Sequence, residues 1–257
     1  MDTLPLAKEC PRPQFKRLLL CWALAALLLI TLFSPLTTAF WEVIDIAFFK
    51  CINGTLRDSP RWQLFWALAN HKLADWVEDI CVLGFFIAYV KQGIKGLRLR
   101  RVAELLFCVL YIALIIYCVN KTLFREHLDI PRLSPTLVVD NSVHLSDHIS
   151  WLKIKDDSYK SFPGDHGTTA LLFAASFTYF AGWRLGLLAS LYAAFLCMPR
   201  LITGAHWLSD VLVGSGAITL FFLSIAFCTP LSRVCIDALE CFLKAIGKAF
   251  SQLFCPK

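Results

Sequence analysis

The sequence predicts an all-α, polytopic membrane protein: a bundle of six transmembrane helices flanked by interfacial helices. Three observations lead there. Of the 257 residues, 58% are hydrophobic. Only 17% are charged, where a soluble domain carries about a quarter. The apolar residues come in long runs with basic residues at their ends, the pattern of segments whose solvent is lipid. In hydrocarbon every backbone polar group must find its partner within the segment, so such runs are helices.

The first run, "RLLLCWALAALLLITLF" at 17–33, follows Lys16 and Arg17. It has the flanks of a signal peptide, but no small-residue cleavage site follows closely, and further spans come later. It is therefore read as a span. Five more runs fall at 76–91, 102–119, 167–182, 185–199 and 209–228. Runs four and five are joined only by "GWR", a tight turn. Segment 40–70 is rich in aromatics and predicts interfacial helices. In the tail, Ile236, Leu239, Leu243, Ile246, Phe250 and Leu253 recur at steps of three and four, with Lys244 and Lys248 off the stripe. That pattern predicts an amphipathic helix on the inner surface.

Basic residues set the orientation. Lys8, Arg12, Lys16 and Arg17 precede the first span. The loop at 91–101 holds five basic residues and no acid. Arg184 follows the fourth span, and Arg233, Lys244, Lys248 and Lys257 lie in the tail. All fall on one side if the chain starts inside and crosses six times, so both termini are expected in the cytoplasm. The expected organisation is a cytoplasmic segment at 1–16, a transmembrane catalytic domain at 17–230 and a cytoplasmic amphipathic tail at 231–257.

The net charge of +6 is modest and sits at span ends, so it is no nucleic-acid footprint. The eleven cysteines include no CxxC pair, and all but Cys51, which falls in a long outer loop, lie in apolar runs or near the termini. They are read as small hydrophobes, and no disulfide framework is expected. His144, Asp147 and His148 are too loosely spaced for a metal site, and no metal or cofactor is expected.

Three outer segments carry chemistry. In "SFPGDHGTTALLF" a helix start faces outward, with Pro163 suited to its first turn, Gly164 allowing close approach, and Asp165 and His166 following. A helix start offers free N–H groups and a positive dipole end to a phosphate. In "PRLITGAHWLSDVLVG", Arg200 precedes His206 and Asp210, which are four apart and share a face if a helix already runs there. A carboxylate on one imidazole nitrogen leaves the other free to attack phosphorus. "KTLFREHLDIPRLSP" concentrates Lys121, Arg125, His127 and Arg132, and two guanidiniums can clamp a phosphate. Each residue alone has a plainer reading: Arg200, Arg125 and Lys121 as headgroup anchors, His206 as a structural hydrogen-bonder, Asp165 as a favourable charge at a helix start. Together they are harder to dismiss. A central Arg or Asp in a span costs about 2.5–3.5 kcal/mol on insertion scales, so such groups need a partner or a job.

The pair "FPGDH" and "PRLITGAHWLSD" resembles the membrane type-2 phosphatidic acid phosphatase superfamily, whose pattern is Lys-x6-Arg-Pro, Pro-Ser-Gly-His and Ser-Arg-x5-His-x3-Asp. Arg200, His206 and Asp210 keep the last spacing, with Pro199 in place of serine. Pro163 and His166 keep the second, with Gly164 and Asp165 between them. In the first motif Arg132 matches, Arg125 stands where lysine is usual, the proline is displaced to Pro135, and Lys121 is a substitute lysine. Over about 40–235, stretches such as "FWEVIDIAFF", "RLSPTL" and "TPLSR" are similar to the Gram-negative branch that moves phosphate from undecaprenyl diphosphate to lipid A.

The resemblance implies a bundle of the superfamily's phosphatase and chloroperoxidase type in the bacterial inner membrane, its site facing the periplasm. It implies that His206 attacks the terminal phosphorus of undecaprenyl diphosphate, held by Asp210, while His166 protonates the leaving oxygen. Arg132 and Arg200, with Arg125 or Lys121, would neutralise the phosphoryl oxygens beside Gly164 and Asp165. The partners are then lipids and the membrane, with no nucleic acid. A small regulatory membrane protein is a further partner the chain neither requires nor excludes. The runner-up is a phosphatase of undecaprenyl diphosphate or another lipid phosphate. Other classes that fit the charges are an anion-binding transporter and a non-enzymatic scaffold.

Overall fold

The computed structural model of the protein describes residues 13–128 and 130–254. Lys8, Cys10, Arg12, Cys255 and Lys257 lie outside them, as does the side chain of Leu253. The helices are α1 (Phe15–Phe33), α2 (Thr38–Gly54), α3 (Pro60–Ala69), α4 (Lys72–Lys91), α5 (Arg98–Ile115), α6 (Pro135–Val138), α7 (Leu145–His148), α8 (Asp165–Ala181), α9 (Trp183–Ile202), α10 (Gly216–Cys228) and α11 (Leu231–Phe254). A π-helical stretch, Ile116–Leu128, prolongs α5, and another, Asp210–Ser215, leads into α10. Among the described residues the extended pairing is one isolated bridge, Arg132 to Lys160.

Local chemistry sets the boundaries. Ser34, before Pro35, is extended, as a residue preceding proline prefers, and α1 stops there. Ser59 caps α3 by accepting the Trp62 amide, with Pro60 in the first position. Gly182, with φ +80°, is the sole residue between α8 and α9.

Each of the six expected spans is helical, and α2 and α3 occupy the aromatic segment. Among the described residues four stretches are long and apolar enough to cross a membrane: Phe15–Phe33, Lys95–Leu128, Trp183–Ile202 and Asp210–Cys228. The expected spans at 76–91 and 167–182 fall short of that standard. Helix α4 carries Asp75, Glu78 and Asp79 in its first half, and α8 has 17 residues.

Helix α8 is the axle of the bundle. Ala170 and Ala174 meet Ala193 and Cys197 of α9, small side chains that let the two backbones approach. Phe173 and Phe177 pack with Tyr89 of α4 and Leu105 of α5. Leu172 packs with Ile115, Val119 and Ile218. Helix α1 lies along α10, with Trp22 stacked on Phe221 at 4.8 Å.

Two expectations change. Ile236, Leu239 and Leu243 of α11 pack on Ala103, Phe107 and Cys108 of α5, so the first half of the tail's stripe meets protein. Arg100 fastens it, reaching Asp237 at 2.8 Å and Glu240 at 3.0 Å. Cys51 lies within α2, and the cysteines described are free thiols.

Candidate active site

Beyond α9 the chain turns sharply. Gly204 has φ +81°, and a Cβ there would stand 2.5 Å from Thr136 Cγ2, so the turn admits only glycine. The Ala205 and His206 amides both donate to the Arg200 carbonyl, at 3.0 and 3.2 Å. His206 therefore sits in a bend, and the helical face expected for His206 and Asp210 does not exist. Its Nδ1 meets the Ser161 carbonyl at 2.6 Å, and the residue is only 5% exposed. A carbonyl can only accept, so Nδ1 carries a proton, and in the neutral ring Nε2 keeps the lone pair.

That partner differs from the one expected. The nearer Asp210 oxygen stands 3.7 Å from His206 Nδ1, beyond hydrogen-bond reach. The same oxygen accepts the Trp207 amide at 2.8 Å, and the other accepts Arg132 Nη1. Asp210 thus reaches back to satisfy an unpaired N–H at the start of its own helical turn, as the acid of a capping box does. Both oxygens are occupied by donors other than the imidazole.

Arg132 is equally committed. Its Nη2 donates to Asp45 at 2.9 Å and to Ser209 Oγ at 2.8 Å, while Nη1 holds Asp210. Asp45, on α2, also accepts the Ser209 amide at 2.9 Å and the Ser209 hydroxyl. The geometry makes Arg132 a bridge between two buried carboxylates. The backbone beside it also serves His206: the Ser161 amide donates to the Arg132 carbonyl at 2.9 Å.

The start of α8 meets the His206 ring. Gly164 precedes the first turn, so Pro163 lies outside the helix and not in its first turn. A Cβ at Gly164 would stand 3.4 Å from His206 Nδ1, which brings the second motif against the third. Arg200, 9% exposed, points Nη2 at His166 Nε2 at 3.1 Å. Its Nη1 holds the Asn70 carbonyl at 3.2 Å and the Asn70 side-chain oxygen. A guanidinium only donates, so His166 accepts at Nε2 and is neutral. Standing just before the expected span at 167–182, His166 is pushed down to about 4 by burial and the Arg200 charge, with Asp75 opposing.

The remaining expected ligands sit at the rim. Arg125 pairs with Asp165, which also accepts Asn120 Nδ2 at 3.2 Å. Lys121 lies over the Tyr117 ring at 5.4 Å. Lys121, Asp165 and His166 line the mouth of a cavity of about 790 Å³ between α4, α5 and α8, whose walls include Val82, Phe86 and Phe173. A second cavity of about 600 Å³ opens on the other flank, lined by Trp41, Glu42, Asp45, Arg132 and Trp207. His166, Arg200, Gly164 and His206 are brought together, and Lys121, Arg125 and Asp165 adjoin them. Arg132 and Asp210 stand behind His206.

Sequence reasoning missed three participants. Asn70 holds Arg200 and also donates to the Lys155 carbonyl at 3.0 Å. Lys155 itself stands close enough to Arg125 and Arg200 to feel their charges. Asp45 was legible only as an acid within an apolar stretch.

Comparison with known proteins agrees with the motif reading. The model of the PAP2 superfamily matches residues 101–235. Lipid A 1-diphosphate synthase of Escherichia coli (strain K12) is 29% identical over 226 residues, which is 88% of this chain and 92% of that protein. No solved structure matches the chain.

Proposed function

The chain belongs to the PAP2 superfamily, and we propose that it is a membrane lipid phosphotransferase that moves the terminal phosphoryl group of undecaprenyl diphosphate to the 1-phosphate of lipid A. The observation that carries the reading is the Ser161–His206 contact at 2.6 Å. It places a proton on Nδ1, so that in the neutral ring Nε2 is the nitrogen left to attack, with the Arg200–His166 pair in the same site. The kinship to a protein named for lipid A 1-diphosphate synthesis supports lipid A as the acceptor.

In the first step Nε2 bonds to the terminal phosphorus and the bond to undecaprenyl phosphate breaks. His166, neutral beside Arg200 until the diphosphate's negative charge lets it take up a proton, then gives that proton to the leaving oxygen. Arg200, with Lys121 and Arg125 at the rim, balances the equatorial oxygens. In the second step a 1-phosphate oxygen of lipid A attacks the phosphoryl-histidine and the N–P bond breaks. The apolar cavity below His166 suits an isoprenoid or acyl chain. The reading requires no cofactor. It includes six spans in the inner membrane, counting α4 and α8, with the site toward the periplasm and both termini in the cytoplasm. It also includes the division at 1–16, 17–230 and 231–257.

The test is to incubate purified protein with terminally labelled undecaprenyl diphosphate, with and without lipid A. Label in lipid A is expected. Label only in free phosphate replaces the transferase with a phosphatase acting through the same histidine.

A further inference from the structure

Asp45 has no role in the motifs, yet at 2% exposure it is more enclosed than any other described acid except Asp210. Its three partners, the Ser209 amide, the Ser209 hydroxyl and Arg132 Nη2, all donate. The Asp45 carboxyl is raised overall, by burial first and by the Asp210 charge as well, and the Ser209 donors and Arg132 offset only part of that. Donors on every side match the ionised form.

The consequence lies one residue further on. Asp210 is the carboxylate nearest the His206 ring, but Arg132 already neutralises it. A neutral pair does little for a cation beside it. Arg200 and His166 add no negative charge to the site, the first because it is positive and the second because it accepts from Arg200 as a neutral ring. When His206 Nε2 bonds to phosphorus while Nδ1 keeps its proton, the ring becomes cationic. Something must hold the surroundings negative.

We infer that Asp45 is a positioning residue that shares Arg132 with Asp210 and so keeps the buried cluster behind His206 one negative charge in excess. The inference rests on His206 being the nucleophile. Asp45 divides the guanidinium between two carboxylates, so Asp210 is not fully cancelled. It also clamps Ser209, the residue before Asp210, and thereby fixes the turn in which the Asp210 carboxylate stands. The charge acts only once the ring has become cationic, so its loss slows the attack and leaves diphosphate binding alone.

The experiment compares kcat, KM for undecaprenyl diphosphate, and acid-labile phosphoenzyme in Asp45→Asn, in Asp45→Asn with Arg132→Gln, and in His206→Ala. Asp45→Asn keeps the shape and removes the charge. Its kcat and phosphoenzyme level are expected to fall by about tenfold or more, with KM within about threefold. The double variant leaves Asp210 as the lone charge, restores the excess, and is expected to recover above Asp45→Asn. Unchanged kcat in Asp45→Asn, a change confined to KM, or a double variant lower than Asp45→Asn would each overturn the inference. If Asp45→Asn does not fold, the double variant decides alone: activity supports the inference, and a level as low as His206→Ala overturns it. Activity in His206→Ala instead removes the nucleophile reading itself, so the two failures are distinguishable.

Discussion

Ser161 gives its backbone carbonyl to His206 Nδ1 at 2.6 Å, while Asp210 stands 3.7 Å from the same nitrogen. The tautomer that leaves Nε2 free is thus set by a main-chain group, which mutation of a side chain at position 161 does not delete. The carboxylate acts one step removed, on the turn and on the local charge.

His206→Ala is expected to lower transfer below about one-thousandth of wild type, because the residues of a covalent mechanism act as a unit. The companion measurement is the acid-labile, base-stable phosphoenzyme, which should vanish. Turnover through water or another nucleophile would show as residual phosphate release.

Asp210→Asn should lose stability as well as activity. One Asp210 oxygen pairs with Arg132, and the carboxylate is wholly buried. Arg132 keeps Asp45 as a partner, so the expected loss is that of a charged hydrogen bond, about 1.5–3 kcal/mol. Thermal unfolding in detergent checks this. An unchanged midpoint with lost activity would instead assign Asp210 a direct role at the imidazole.

His166 links activity to protons. Burial, and then the Arg200 charge, lower its pKa from 6.5 to about 4. Between those values the unfolded chain holds more protons there than the folded one, so this group's contribution to stability rises with pH and is lost as pH falls. A bound diphosphate reverses the local charge, so binding a methylene-bridged, non-hydrolysable analogue near pH 6 should take up a proton. Calorimetry in buffers of different ionisation enthalpy measures the uptake, and His166→Asn should abolish it. Equal heats in every buffer for wild type would contradict this assignment.

Two glycines near His206 should behave differently. At Gly204 φ is +81° and a new Cβ would meet Thr136 at 2.5 Å and Phe49 at 2.9 Å. Gly204→Ala is expected to cost about 2–4 kcal/mol and to displace His206. At Gly164 a Cβ finds ordinary contact, 3.4 Å from His206 Nδ1, with φ −76°. Gly164→Ala should change stability by less than about 1 kcal/mol. Denaturant or thermal midpoints of the pair decide it, and a Gly164→Ala protein as unstable as Gly204→Ala would show the His206 ring to be immovable.

Arg200 owes its direction to Asn70. Asn70 grips Nη1 with its carbonyl and its side chain, which leaves Nη2 to face His166 at 3.1 Å. Asn70→Ala keeps the carbonyl and loses the side chain. KM for the diphosphate should rise several-fold, with a smaller effect on stability, and kinetics over a substrate series checks it.

By itself the sequence determined where the helices run and which residues could do chemistry. A span needs a long apolar run whatever packs beside it, and the spacing of Arg200, His206 and Asp210 is a local property of one turn. Partnership was decided only in three dimensions. Asp45 lies 164 positions from Ser209, Asn70 130 from Arg200, and Ser161 45 from His206. Periodicity carries no information at such separations. Asp210 was expected on the imidazole because four residues suggest a helical face, but the Gly204 turn breaks that face. Arg132 then takes one Asp210 oxygen and the Trp207 amide the other. Which donors a carboxylate meets depends on how α2, α8 and α9 converge.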